Sequence, residues 1–177
     1  MKTLLLGLVL GVAGVFAGAY FYFSLGYAPV ATSAPPMPFE QKMAKMALHA
    51  RIAKEAPANA PVPADEANLT AGALLYREHC AVCHGLKGQA ETAIAKGMFP
   101  KPPQLFQGHG VTDDPVGETY WQAKNGIRLT GMPGFSTSLS EQQLWQVSLL
   151  LAHADKLPPS AEKVVSSPPA MGQSAQN

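Results

Sequence analysis

The chain has 177 residues, which gives room for one folded domain with appendages. Lysine and arginine number 13 against 12 aspartate and glutamate residues, and this net charge of +1 gives no support to nucleic-acid binding, which usually shows a strong basic excess. The two cysteines are too few for a disulfide framework or for a zinc site built on thiolates.

The first segment is apolar and carries no charge from Leu4 to Leu25. A helix of this length spans about 33 Å, against a hydrocarbon core of roughly 30 Å. The aromatic residues from Tyr20 to Tyr27 suit a membrane–water interface. We therefore predict a transmembrane anchor over residues 1–28, with Lys2 favouring an inside N-terminus. A cleaved signal peptide is the alternative, because small residues that resemble a cleavage site occur at 17–19 and 31–34.

Residues 29–65 form a Pro/Ala-rich neck that contains one helical pattern, over residues 39–55. Phe39, Met43 and Met46 recur there at spacings of three and four, with basic residues elsewhere around the helix. This helix can pack on its own domain, dock a partner subunit or lie on a membrane surface. The prolines that follow it predict an extended spacer, so we expect the neck to let the next segment swing.

Residues 66–157 have the pattern of a folded helical domain. A first helix, capped by Asn68 or Thr70, runs to about His79, and a second covers about residues 118–125. A last helix begins after the cap Ser140 and stops before Pro158. No run alternates in the manner of a strand, so an all-α fold is predicted. The tail, residues 158–177, is expected to be disordered because it is rich in Pro, Ser and Ala.

The strongest motif is the pair Cys80 and Cys83, followed directly by His84. Two thiols at this spacing can form thioethers to two vinyl groups on one porphyrin edge, and the adjacent imidazole then lies under the iron. A redox-active disulfide would normally sit in a strand–helix alternation, which is not visible here. A zinc site would need a second matching pair of ligands, which His79 and His109 do not make. The motif predicts one covalently attached haem c.

Around this motif, residues 69–157 resemble a class I cytochrome c. In that family the first and last helices cross steeply, a glycine and an aromatic residue allowing close approach. Gly72 and Tyr76 match the first helix, and Trp145 matches the last. The resemblance implies an all-α, class I cytochrome c-like haem domain, here with an N-terminal transmembrane helix.

The resemblance also implies a methionine as the sixth iron ligand, on a late loop. Met132, between Gly131 and Pro133, fits that position. Met98 is the rival, although its loop would have to turn back over the haem very early after His84. An iron that is open or ligated by a second histidine is the remaining alternative.

Other residues are assigned roles around the haem by the same resemblance. The Pro103 carbonyl, or that of Pro102, should accept a hydrogen bond from the His84 ring. Trp121 and Arg128 are the candidates for contacts with the haem propionates. Four histidines are expected to be ordinary polar residues: His49, His79, His109 and His153.

The resemblance implies an electron carrier rather than an enzyme, with no small-molecule substrate. It would exchange electrons with membrane redox proteins, from a single-pass position in a bacterial inner membrane with the haem domain on the periplasmic side. Two alternatives stay open. One is an integral haem subunit of a larger membrane oxidoreductase. The other is a gas-binding or catalytic haem protein, which requires that Met132 does not bind the iron.

Overall fold

The computed structural model describes residues 1–166, and this part of the chain is helical without any strand, which confirms the predicted all-α class. The chain divides into two compact units, Met1–Ala44 and Lys45–Asn177. The helices in chain order are α1 (Lys2–Ser24), α2 (Glu40–Glu55), α3 (Glu66–His79), α4 (Ala81–His84), α5 (Ala93–Gly97), α6 (Val116–Asn125), α7 (Glu141–Ala152) and α8 (Pro159–Ser166).

Helix α1 is the one helix of residues 1–166 that is long and apolar enough to cross a membrane. Its 23 residues reach a mean hydropathy of 2.2, and none of its side chains is buried. A signal sequence near the N-terminus can also be long and apolar enough to meet this criterion. The helix therefore marks either a membrane anchor or a signal sequence.

Helices α3 and α7 cross at Gly72. A Cβ atom on Gly72 would overlap the backbone carbonyl of Gln146 and lie 3.2 Å from the Cβ of Leu150. Only a residue without a side chain lets the two backbones come this close. Trp145, next to Gln146 on α7, stacks on Tyr120 of α6 with ring centroids 4.0 Å apart, and its role as the aromatic partner at the crossing stays a prediction.

The N-terminal ends of α3 and α7 are capped by side chains. A capping box between Ser140 and Gln143 starts α7, as the sequence indicated. The cap of α3 is Asp65 rather than Asn68 or Thr70, because the Asp65 carboxylate accepts a hydrogen bond from the Asn68 backbone N–H at 2.8 Å. An acid directly before the first turn also suits the positive end of the helix dipole.

The expected disorder of residues 158–177 is wrong for α8, and residues 167–177 lie outside the described part of the chain. Ala161 and Val165 on one face of α8 are both 0% exposed in the core. The Val165 carbonyl accepts a hydrogen bond from the Lys87 backbone N–H at 3.0 Å, and the Lys87 ammonium pairs with Glu162 at 2.8 Å. Burial of two apolar side chains one helical turn apart thus orders α8, although its composition favours disorder.

The second half of the neck is also packed rather than free. Ile52 on α2 is 2% exposed, and Ala60 and Val62 pack against the core. A Cβ atom on Gly117 of α6 would overlap the Pro57 carbonyl oxygen. An extended proline-rich segment has no internal hydrogen bonds, but its apolar side chains can still bury surface. The predicted swinging spacer is therefore wrong for residues 52–62.

Candidate functional site

A cleft opens between the α3–α4 junction, the segment 98–105, α6, the segment 127–135 and α7. Its empty volume is about 1040 Å³ when the space open to solvent is included. Most of its lining is apolar, which suits a large planar cofactor with few polar contacts. The residues that matter for its chemistry are Cys80, Cys83, His84, Met98 and Met132.

Both cysteines line the cleft and neither forms a disulfide. Cys80 is the C-cap residue of α3. Its carbonyl accepts hydrogen bonds from the backbone N–H of Cys83 at 3.1 Å and from that of His84 at 2.9 Å. This single turn brings both thiols and the imidazole to one end of the cleft. Burial, with a smaller contribution from Cys83, raises the pKa of the Cys80 thiol to about 12. Redox-active Cys-X-X-Cys pairs have a lowered thiol pKa, so the raised pKa of Cys80 gives no support to thiol–disulfide exchange.

The His84 imidazole is held by the segment that follows α5. Its Nδ1–H donates to the Pro103 carbonyl oxygen at 2.8 Å, the partner that the sequence predicted. Burial lowers the pKa of His84, an effect that the hydrogen bond to Pro103 opposes only in part. The ring is therefore neutral at neutral pH, and with Nδ1 protonated its Nε2 carries the lone pair that a metal ligand needs.

Met132 lies on a loop that is tied to the end of α6. The Ile127 backbone N–H donates to the Met132 carbonyl at 3.2 Å, and the Thr130 hydroxyl accepts the Met132 N–H at 3.1 Å. Gly126 has a φ of +69° and packs on the loop, so that an added Cβ would lie 2.5 Å from the Gly134 nitrogen. These contacts hold the backbone of Met132 and of the residues that follow it.

Met98 lines the same cleft as Met132. It directly follows α5, and its backbone N–H donates to the Ala95 carbonyl at 3.2 Å. For Met98 to reach the haem, the chain has to turn back early after His84. The short helix α5 makes this turn and returns the chain to the cleft. Two thioethers are thus present where the family pattern needs one.

Residues 67–149 match a family model described as cytochrome c oxidase, cbb3-type, subunit III. No curated protein matches the sequence. The matched segment holds both cysteines, His84 and Met132. The match indicates a c-type cytochrome domain over these residues.

A c-type cytochrome domain implies covalently attached haem c, and the residues of the cleft fit this group. Two thiols one helical turn apart can form the two thioethers, a neutral imidazole is present beside them, and apolar walls surround both. Within residues 1–166 no group of three or more His, Cys, Asp or Glu side chains can hold a metal ion, which gives no support to a zinc site. The haem would supply an iron that can gain or lose one electron.

The structure does not bring Trp121 to the cleft. Its indole N–H donates to the Glu55 carboxylate at 3.0 Å, on the side of α6 that faces the neck. The cleft is lined instead by Thr119, Gln122 and Ala123. One residue along a helix changes direction by about 100°, so Trp121 and the neighbouring Gln122 face different sides of α6. The prediction of a propionate contact for Trp121 is not supported by this geometry.

Arg128 and His79 complete the set of predicted residues. Arg128 is exposed on the loop between Ile127 and Thr130, which both line the cleft, and its contact with a propionate stays a prediction. His79 was expected to be an ordinary polar residue, yet it lines the cleft, with its ring 5.9 Å from that of Phe135. Its place directly before the first cysteine is the signal that could have identified it.

Proposed function

We propose that this protein is a membrane-tethered monohaem cytochrome in which His84 and Met132 are the axial ligands of the iron. One observation carries the proposal. A neutral imidazole with a free Nε2 and a thioether on a tied loop line the same apolar cleft as the two attachment thiols.

A six-coordinate iron has no open position for a substrate, and a methionine ligand raises its reduction potential. The function that fits such a site is the transfer of single electrons at the exposed haem edge. The residues of this chain keep the imidazole oriented, line the cleft with mostly apolar side chains and hold the thioether in place. The protein is then an electron carrier rather than an enzyme, with membrane respiratory or dehydrogenase proteins as its donor and acceptor.

Helix α1 supports a position at a membrane. We propose that it stays uncleaved and crosses a bacterial inner membrane once, with the haem domain on the periplasmic side. Lys2 before the span supports an inside N-terminus. Attachment to the membrane keeps the carrier close to membrane partners, which raises the effective concentration for transient docking.

A fixed haem subunit of a larger membrane oxidoreductase is the second candidate. The matching family model is described as an oxidase subunit, and α2 exposes Met46 although Ile52 on the same helix is buried. Exposed methionines are common at protein-binding surfaces. Size determination of native protein in mild detergent separates the candidates, because a free carrier migrates alone and a subunit migrates with the rest of its complex.

The ligand assignment is tested by binding of carbon monoxide to the reduced protein. Met132→Ala removes the thioether, so we expect rapid binding of carbon monoxide and a lower reduction potential. Met132→His should restore six-coordination but keep the potential low. Met98→Leu is the matched control: it removes the sulfur but keeps the apolar bulk that packs on the loop, so both properties should stay close to those of the wild type.

Each outcome of this comparison decides between ligand assignments. If wild-type protein binds carbon monoxide as fast as Met132→Ala does, the iron is open and the carrier function fails in favour of a gas-binding one. If only Met98→Leu opens the site, Met98 is the ligand and the carrier function stands with a corrected residue.

A further inference from the structure

Met98 and Gly131 are in direct contact at the wall of the cleft. The terminal methyl of Met98 lies where a side chain on Gly131 would begin, and the Met98 sulfur is 3.5 Å from that same point. Gly131 itself is exposed, and its φ is not in the left-handed region. A side chain added at Gly131 would therefore meet the flexible end of Met98 and would not strain its own backbone conformation.

The Met132 loop is anchored unevenly. Two hydrogen bonds hold its flanks: the Ile127 N–H donates to the Met132 carbonyl within the loop, and the Phe135 N–H donates to the Ala123 carbonyl of α6 at 2.9 Å. Within residues 1–166 no hydrogen bond is made by Gly131, the residue directly before Met132. The side chain of Met98 is what packs against this part of the loop.

We propose that Met98 is a positioning residue for Met132. Its side chain packs on Gly131 and thereby holds the loop so that the Met132 thioether faces the cleft. A long, unbranched thioether chain suits this role because it fills an irregular gap without strain. The inference rests on the proposed function, since it concerns how firmly Met132 is kept at the iron.

The first test is Gly131→Ala in the full-length protein with its haem attached. The added Cβ overlaps the methyl at the end of the flexible Met98 side chain, so either this side chain or the loop must shift. In both cases the packing of Met98 on the loop is disturbed, and the Met132 thioether leaves its position more often. We expect carbon monoxide to bind the reduced protein about tenfold faster. The sulfur-to-iron charge-transfer band of the oxidised protein should weaken in parallel. Gly97→Ala is the matched control, because a Cβ at Gly97 meets nothing within 4 Å.

The second test combines that change with Met98→Ala. Alone, Met98→Ala removes the contact with Gly131 and should also speed carbon monoxide binding about tenfold. In the double variant the space left by Met98 accepts the new Cβ, so the rate should stay close to that of Met98→Ala alone.

The outcomes separate this inference from the proposed function. If the effects of Met98→Ala and Gly131→Ala multiply in the double variant, the two residues act independently and the inference is overturned. It is also overturned if Met98→Ala leaves both the binding rate and the charge-transfer band unchanged. Met132→Ala is the reference: if it does not speed binding, the ligand assignment has failed, whereas if it alone speeds binding, only the role of Met98 has failed.

Discussion

Replacing Gly72 by alanine sets two opposed effects against each other. Alanine is the better helix former, and in an exposed helix interior this change stabilises by about 1 kcal/mol. At Gly72 the new Cβ overlaps the backbone carbonyl of Gln146 and lies 3.2 Å from the Leu150 Cβ. A backbone obstacle cannot rotate away as a flexible side chain can, so α3 and α7 must separate.

Overpacking of this kind costs about 1–3 kcal/mol and more where the backbone has to move. The loss should therefore exceed the gain in helix propensity, with a net destabilisation of about 2 kcal/mol. For a domain of this size that corresponds to a melting temperature lower by roughly 10 °C. Guanidinium denaturation followed by far-ultraviolet circular dichroism measures the free energy of unfolding directly. The haem stays attached through its thioethers in both states.

Gly97→Ala is the control for the propensity effect, since it adds a Cβ in open space. It should leave the free energy of unfolding unchanged or slightly higher. A Gly72→Ala protein that is as stable as the wild type, or more stable, would refute the reasoning that the crossing of α3 and α7 requires a glycine.

Three further predictions concern attachment, the membrane and the neck. Haem staining after denaturing electrophoresis should disappear in the double variant Cys80→Ser/Cys83→Ser, and staining that persists would contradict thioether attachment. Replacement of residues 1–34 by a cleavable signal should give soluble cytochrome with a normal spectrum, whereas a native N-terminus found near residue 34 would show that the segment is cleaved. The hydrogen bond from Trp121 lowers the pKa of Glu55 in the folded protein. This hydrogen bond therefore stabilises the fold fully above the pKa that Glu55 has in the unfolded chain, and the stabilisation is lost as the pH falls through the lower pKa of the folded state. Glu55→Gln should remove this acid sensitivity from the free energy of unfolding, and an unchanged pH profile would contradict it.

The sequence predicted the parts of the fold that depend on local chemistry. Three such features each lie within one continuous stretch of sequence: the capping box at Ser140, the long uncharged run of α1, and the spacing of Cys80 and Cys83. The hydrogen bond from His84 to Pro103 was available from the resemblance to class I cytochromes c. These features need no knowledge of how distant segments pack.

The features that the sequence did not predict are tertiary. Composition suggested disorder for α8, because Pro and Ser favour it and a buried Val165 carries no local signal. Trp121 was assigned to the cleft because tryptophan can donate to a propionate, but the phase of α6 decides which residues face inward. The contact of Met98 with Gly131 joins two segments that no local pattern relates.

Helix α6 connects the neck to the cleft. One face packs on the neck, where Gly117 meets the Pro57 carbonyl and Trp121 donates to Glu55. Another face lines the cleft, and the end of the helix holds the Met132 loop through the Ala123 carbonyl. The contacts with the neck therefore restrain the helix on which the position of the Met132 thioether depends. Residues 52–62 are in this respect part of the support for the haem site, although their prolines give them the composition of a linker.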